Sequence, residues 1–259
     1  MKISIIFSIL ILVFSMNTSH AQIINIHSVG TLRSTYPDKG YTLDGDHMAG
    51  ARAKLINPVN FSDTGIYKKN ISIHNAYYTS GSLEAVTGTA DIVIFFFGSF
   101  GGTSYDFTAF TEAEIDSLYT WSLRGGKLII AEQGSSSVYP FQHLGKKWGY
   151  EIPFVFISKI LPVEQAKNNR IFNGPFGVVE SANTGGASQG YLSDLNKNVS
   201  VLATNSTGQP TLIIDCVTRD LICCDADVFT DLGGLSDSPE ILNEQDRFWA
   251  NTIAFMDSL

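Results

Sequence analysis

A chain of 259 residues with 44% hydrophobic and 16% charged residues has the apolar content of a filled core and too little charge for a disordered polymer. Its formal net charge of −8 argues against nucleic acid as a partner, because phosphate neutralisation needs clustered Lys and Arg and the chain has no such cluster. The three cysteines, Cys216, Cys223 and Cys224, share one short region, which is not the dispersed, even set of a disulfide-stapled domain. They read as thiols of a β-hairpin, with the adjacent Cys223 and Cys224 facing opposite sides.

Residues 1–21 combine Lys2, an apolar run from Ile3 to Phe14 and a polar stretch closing on Ser19-His20-Ala21. These are the three regions of a secretory signal peptide, with cleavage expected after Ala21. The apolar run is shorter than the roughly 20 residues that cross a bilayer, so no membrane span is expected after cleavage. Residues 22–259 then form a single exported domain, periplasmic or secreted, with a net charge of −9 once Lys2 is gone.

That domain opens with Ile23–Gly30, whose alternation predicts a strand, followed by a loop broken at Pro37 and Gly40. A helix is predicted over His47–Asn57, with Asp46 capping its first turn and Pro58 ending it. Asn70–Tyr78 alternates like a strand, and Ser80–Gly88 suggests a short helix. Ile92–Gly98 is a run of apolar residues and glycine, the pattern of a central parallel strand covered on both faces. Thr111 and Glu114 form the capping box of the next helix, which presents Ile115, Leu118, Tyr119 and Ser122 on one face. Lys127–Ala131 follows as a strand, and a short helix is expected beyond Pro140.

Strand, glycine loop, helix, glycine turn and strand make a βαβ unit. Its right-handed crossover places Gly98–Gly102 and Ala131–Ser137 along one carboxyl edge, where such sheets bind ligands. The second half is richer in strands: a turn at Asn173-Gly174-Pro175, strands over Val199–Asn205 and Pro210–Val217, and a hairpin returning through Leu221–Asp227. The C-terminal helix, Asn243–Leu259, points Phe248, Trp249, Ile253, Phe255 and Met256 to the core. The predicted class is α/β, a doubly wound, mostly parallel sheet with helices on both faces and a β-hairpin in the C-terminal half.

The stretches "ADIVIFFFGSFGG" and "TEAEIDSLYTWSLRGGKLIIAEQGSS" resemble the middle of class I glutamine amidotransferase-like domains, and "LICCDADVFTD" with "NEQDRFWANTIAFM" is similar to secreted or envelope members of that broad fold. The resemblance implies a flavodoxin-like sheet and, in catalytic members, a cysteine in a tight elbow after the strand corresponding to Lys127–Ala131. This chain has Glu132-Gln133-Gly134 at that elbow. Cysteine-dependent amidotransferase chemistry is therefore not expected.

The favoured expectation is a non-catalytic domain binding a small molecule, glycan or protein through Gly98, Ser99, Gly101, Gly102, Glu132, Gln133 and Ser135, without a cofactor. The alternative is a carboxylate-dependent hydrolase with Glu132 as general acid or base, assisted by His47 and Asp227 and in some arrangements by a metal. Asp44, Asp46 and Asp225 are the candidate oxygen ligands for such a metal, although helix capping by Asp46 and turn formation by Asp225 and Asp227 explain these residues without one. Ser135 with His143 lacks the G-x-S-x-G elbow of a serine hydrolase. The sequons at Asn60, Asn70, Asn198 and Asn205 matter only where exported proteins are glycosylated.

Overall fold

A computed structural model describes residues 22–31, 41–78, 87–97, 111–132, 142–153, 159–185 and 190–259. Nine strands join into one sheet in the order β2-β1-β3-β4-β11-β10-β9-β5-β8. Here β1 is Ile23–Thr31, β2 Asn70–Tyr78, β3 Ile92–Phe97, β4 Lys127–Glu132, β5 Lys159–Pro162, β8 Ala182–Asn183, β9 Val199–Thr204, β10 Pro210–Asp215 and β11 Leu221–Cys223. A separate two-residue hairpin pairs β6, Asn173–Gly174, with β7, Gly177–Val178.

The sheet is mixed. β2, β1, β3, β4 and β11 run parallel, whereas β10, β9, β5 and β8 extend it in antiparallel fashion. The parallel half has the flavodoxin-like order 2-1-3-4-5, with β11 as its fifth strand, and its switch point falls between β1 and β3. The short strands β5 and β8 were not legible in the sequence, because two to four residues carry no measurable period.

The central strands bury both faces, and the burial alternates residue by residue. Ile92, Ile94 and Phe96 enter one apolar layer with α1 (Ala49–Ile56) and α4 (Glu244–Ser258), while Val93 and Phe95 enter the other with α2 (Glu112–Leu123) and α3 (Gln142–Trp148). Ile129 and Ala131 against Leu128 and Ile130 repeat the pattern in β4. Each large side chain so buried is worth roughly 1.5–3 kcal/mol, and helices on both faces are what a continuously apolar parallel strand requires. Cys223 and Cys224 fall in opposite layers, both fully buried, and Cys216 is exposed at the hairpin bend.

Two helices carry the side-chain caps that their sequences call for. Thr111 accepts from the Glu114 N–H and the Glu114 carboxylate accepts from the Thr111 N–H, and Asn243 with Asp246 closes the same box at the start of α4. The predicted cap at Asp46 does not form. Asp46 is the first residue of a 3-10 turn, Asp46–Met48, that runs directly into α1, and its side chain caps neither element. A carboxylate inside the turn is no longer at the half-extended position from which a cap reaches back.

Lys54 is the least expected core residue. Its side chain is fully buried and its ammonium lies 3.1 Å from the Asp246 carboxylate. It also donates to the Ser236 carbonyl, to Ser236 Oγ at 3.1 Å and to the Ser238 carbonyl at 2.8 Å. Asp246 accepts in addition from the Ser236 and Leu242 N–H groups and the Ser236 hydroxyl. Burial pulls the Lys54 pKa down, and the Asp246 charge opposes that shift. The pair welds α1 to the 236–246 segment, and Gly50 permits the approach, since a Cβ there would collide with the Ser236 carbonyl.

A second buried carboxyl, Asp220, ties the opposite layer together. It accepts from Leu128 N at 2.8 Å, Ser122 Oγ at 3.1 Å and Trp148 Nε1 at 2.7 Å, joining the ends of α2 and α3 to the start of β4. Burial pushes its pKa up to about 7, against the hydrogen bonds that favour the charged form.

Two stability measurements test these anchors. Removing one partner of a buried ion pair costs about 3–5 kcal/mol, because the other charge is left uncompensated. Lys54→Met is expected to lose that much in urea unfolding, and Lys54→Met combined with Asp246→Leu to lose less than the sum of the two single changes. For Asp220, a folded pKa above the unfolded value means stability that is full below about pH 4 and lost as pH rises through about 7. The penalty of Asp220→Asn is therefore expected to shrink between pH 5 and pH 8, and a penalty that stays constant or grows contradicts the shift.

Candidate functional site

The parallel register brings the ends of β1, β3, β4 and β11 to one edge. Phe97 stands opposite Glu132, and Ala131 opposite Cys223. The chain leaving β11, residues 224–235, folds over this edge in two 3-10 turns, Asp227–Phe229 and Asp231–Gly233. The segment 41–48, which follows β1 in sequence, returns to the same place, where its Asp46–Met48 turn packs on the Asp231–Gly233 turn. The Leu43 N–H donates to the buried Ser28 hydroxyl of β1 at 2.9 Å, which fixes that return.

Where the two segments meet, polar side chains pair in sequence-distant couples. The Tyr41 hydroxyl donates to Asp227 Oδ1 at 2.7 Å in a buried contact. His47 Nδ1 lies 3.1 Å from Asp231 Oδ1, with side chains 19% and 40% exposed. The Tyr41 and His47 rings sit side by side, centroids 5.9 Å apart. Behind them Asp225 is 0% exposed. Its Oδ1 accepts from the Asp227 N–H at 3.0 Å, and its Oδ2 has no hydrogen-bond partner among the described residues. Burial, with the charge of Asp227 adding to it, pushes the Asp225 carboxyl well above the usual range.

The backbone around Asp227 is close-fitting. A Cβ on Gly185 would stand 2.6 Å from Asp227 Oδ2, and one on Gly233 would collide with the Asp227 carbonyl. Gln245 of α4 donates to the carbonyls of Val228 and Asn183, so the C-terminal helix props the loop from below.

The sequence-predicted residues divide as follows. His47 and Asp227 come into one cluster, each meeting Tyr41. Glu132 ends β4 at the same edge, and only its backbone is described. Gly98, Ser99, Gly101, Gly102, Gln133 and Ser135 lie outside the described residues, as does the His143 side chain. The proposed oxygen ligands do not converge as a set: Asp44 accepts from the Thr42 hydroxyl at 2.6 Å, Asp46 is exposed on its turn, and Asp225 is buried at the end of β11. Among the described residues no three His, Cys, Asp or Glu side chains group to hold a metal ion.

Tyr41 is the site residue that sequence reasoning missed, whereas Asp231 stands with Asp225 and Asp227 in the acidic stretch after β11 that the sequence already offers. Tyr41 and Asp227 are 186 positions apart, a separation that no local pattern reports. A cleft of about 630 Å³ lies elsewhere, along α2 beside Thr87, Ser117, Trp121 and Arg124, and holds none of the predicted site residues.

No known protein family and no curated protein sequence matches the chain. Solved structures do share its fold. The N-terminal domain of mmIFT52 superposes with a TM-score of 0.55 at 11% identity, covering 91% of this chain and 97% of that one. A putative ThuA-like protein from Bacteroides uniformis gives 0.51 at 13%, covering 94% and 95%. Alpha-L-fucosidase isoenzyme 2 from Paenibacillus thiaminolyticus gives 0.52 at 11% over 91% of this chain, which spans only 33% of the enzyme. These likenesses show an α/β fold shared with those domains.

The close fit at Gly185 yields a direct test of the cluster. Gly185→Ala is expected to displace the Asp227 carboxylate and to destabilise the fold by about 1–3 kcal/mol, the range of an overpacked site. Urea unfolding gives the cost, and a shifted Tyr41 ring resonance reports the displacement.

Proposed function

We propose that the chain is an exported, non-catalytic binding domain that uses the carboxyl edge of its sheet. The observation that carries this reading is the state of the polar groups there: Tyr41 with Asp227, and His47 with Asp231, are already engaged with one another, as the walls of a preformed site are. The cysteines support it. Cys223 and Cys224 are packed in the core and Cys216 is exposed at the bend after β10, leaving Glu132-Gln133-Gly134 where the resemblance to amidotransferases places a thiol. The pattern of residues 1–21 supports export, and among the described residues no helix is long and apolar enough to cross a membrane.

A second reading is favoured by one feature. Tyr41 brings His47 and Asp227 together at the edge where Glu132 ends β4, and a carboxyl with an adjacent histidine is the usual equipment of acid–base hydrolysis. In that reading Glu132 is the general acid or base of a hydrolase.

Incubation with glutamine separates the main reading from the chemistry of the fold's catalytic relatives. Ammonia release at the buffer rate, before and after thiol alkylation, is expected; turnover abolished by alkylation contradicts the proposal. Hydrolysis of a chromogenic ester or glycoside that Glu132→Gln lowers by about 10²-fold or more puts the second reading in its place, whereas turnover unchanged in that variant removes it.

A further inference from the structure

The cleft of about 630 Å³ along α2 shares no residue with the cluster at the carboxyl edge, and its volume falls within the roughly 300–1,000 Å³ of small-molecule sites. Ser117, Thr120, Trp121 and Arg124 line it from the solvent side of α2, at the helical spacings that put side chains on one face. Thr87 and Gly88, just ahead of β3, line it too. Arg124 precedes β4, whose first residue, Lys127, pairs with Ile92 at the start of β3. Trp121 and Arg124 therefore stand at the amino edge of the sheet, opposite the edge where Glu132 ends β4.

The turn after α2 seats the Trp121 ring. The Gly126 N–H donates to the Trp121 carbonyl at 3.2 Å. A Cβ on Gly126 would stand 2.3 Å from Cε2, 2.4 Å from Cδ2 and 2.5 Å from Cζ2 of the indole, a position over the face of the six-membered ring. One face of the ring thus lies on bare backbone, and the half-buried Trp121 turns its other side to the cleft. The acidic groups of the wall are already matched: Asp116 pairs with Lys147 at 2.5 Å, and Glu114 takes the Thr111 N–H and hydroxyl. The Ser117 hydroxyl donates to the Ala113 carbonyl at 2.8 Å and keeps its oxygen as an acceptor. Thr120 and Arg124 are exposed, and Arg124 is the one cation among the described residues of the lining.

We propose that this cleft binds a neutral pyranose residue of a glycan, with a C–H face of the sugar on the Trp121 indole and its hydroxyls bonded to Ser117, Thr120 and Arg124. The face of an indole carries the negative part of its quadrupole, and the axial C–H groups of a pyranose present the matching positive partial charge over an apolar surface. A carboxylate or phosphate ligand meets the fields of Glu114 and Asp116 on the same wall. An organic cation meets Arg124, one turn from the ring. A polyol with one apolar face incurs neither cost. This site stands apart from the carboxyl edge, so its test does not bear on the reading given for that edge.

The three tryptophans of the chain supply the test and its controls. Trp148 and Trp249 are fully buried, with their indole N–H groups bonded to Asp220 and to the Ala51 carbonyl. ¹⁵N-labelled full chain is titrated with methyl β-glucopyranoside, methyl β-galactopyranoside and methyl α-mannopyranoside, and separately with glucuronate and choline. At least one neutral glycoside is expected to shift the Trp121 indole signal saturably and to leave those of Trp148 and Trp249 in place. Arg124→Ala is expected to weaken that binding about fivefold, the loss of one hydrogen bond. Gly126→Ala, which lifts the ring from its seat, is expected to weaken it about tenfold. Unmoved Trp148 and Trp249 signals certify the fold of each variant, and Arg124→Ala, at an exposed position, decides alone if Gly126→Ala does not fold. The absence of a saturable Trp121 response to all three glycosides overturns the proposal. So does tighter binding of glucuronate or choline, or glycoside binding that either folded variant leaves unchanged.

Discussion

The Lys54–Asp246 ion pair is the contact on which the geometry of the carboxyl edge depends. Segment 41–48 feeds directly into α1, and segment 224–235 leads through residues 236–243 into α4. Lys54 sits in α1 and Asp246 in the first turn of α4, so one buried salt bridge fixes the downstream ends of both halves of the site. A buried pair is stabilising only when its remaining donors and acceptors are matched. Here the ammonium also meets Ser236 and Ser238, and the carboxylate also meets Ser236 and Leu242. The polar cluster is thus held from outside itself.

A layered arrangement follows. The parallel strands deliver their ends to one edge, the two helix anchors set the positions of the segments above it, and the segments bring Tyr41 to Asp227 and His47 to Asp231. The His47–Asp231 couple is the more exposed, with Tyr41 beside it, and Asp225 is fully buried.

Much of the fold was legible because it is local. The doubly apolar run of β3, the Thr111–Glu114 capping box, the glycine turn before β4, the hairpin into β11 and the aromatic face of α4 each announce themselves within about fifteen residues. The opposite facing of Cys223 and Cys224 also follows from the two-residue period of a strand. The site was legible only in part. His47 and Asp227 stood out as chemical types, but Tyr41 reads as one more residue of a long polar loop, and its partner is 186 positions away. Lys54 reads as a surface residue of a short helix, since lysine is almost never fully buried without a partner, and that partner lies in the C-terminal helix. The capping role expected of Asp46 fails because a 3-10 turn precedes α1, and three residues of such a turn leave no signal in the sequence.

A double-mutant cycle between Tyr41→Phe and Asp227→Asn, read by urea unfolding, measures most directly whether the two segments form one preassembled site. A buried hydroxyl donating to a carboxylate is worth about 1.5–3 kcal/mol, and the account predicts a coupling energy of that size. Effects that add to within about 0.5 kcal/mol would mean that the two segments meet without holding each other, and would contradict it.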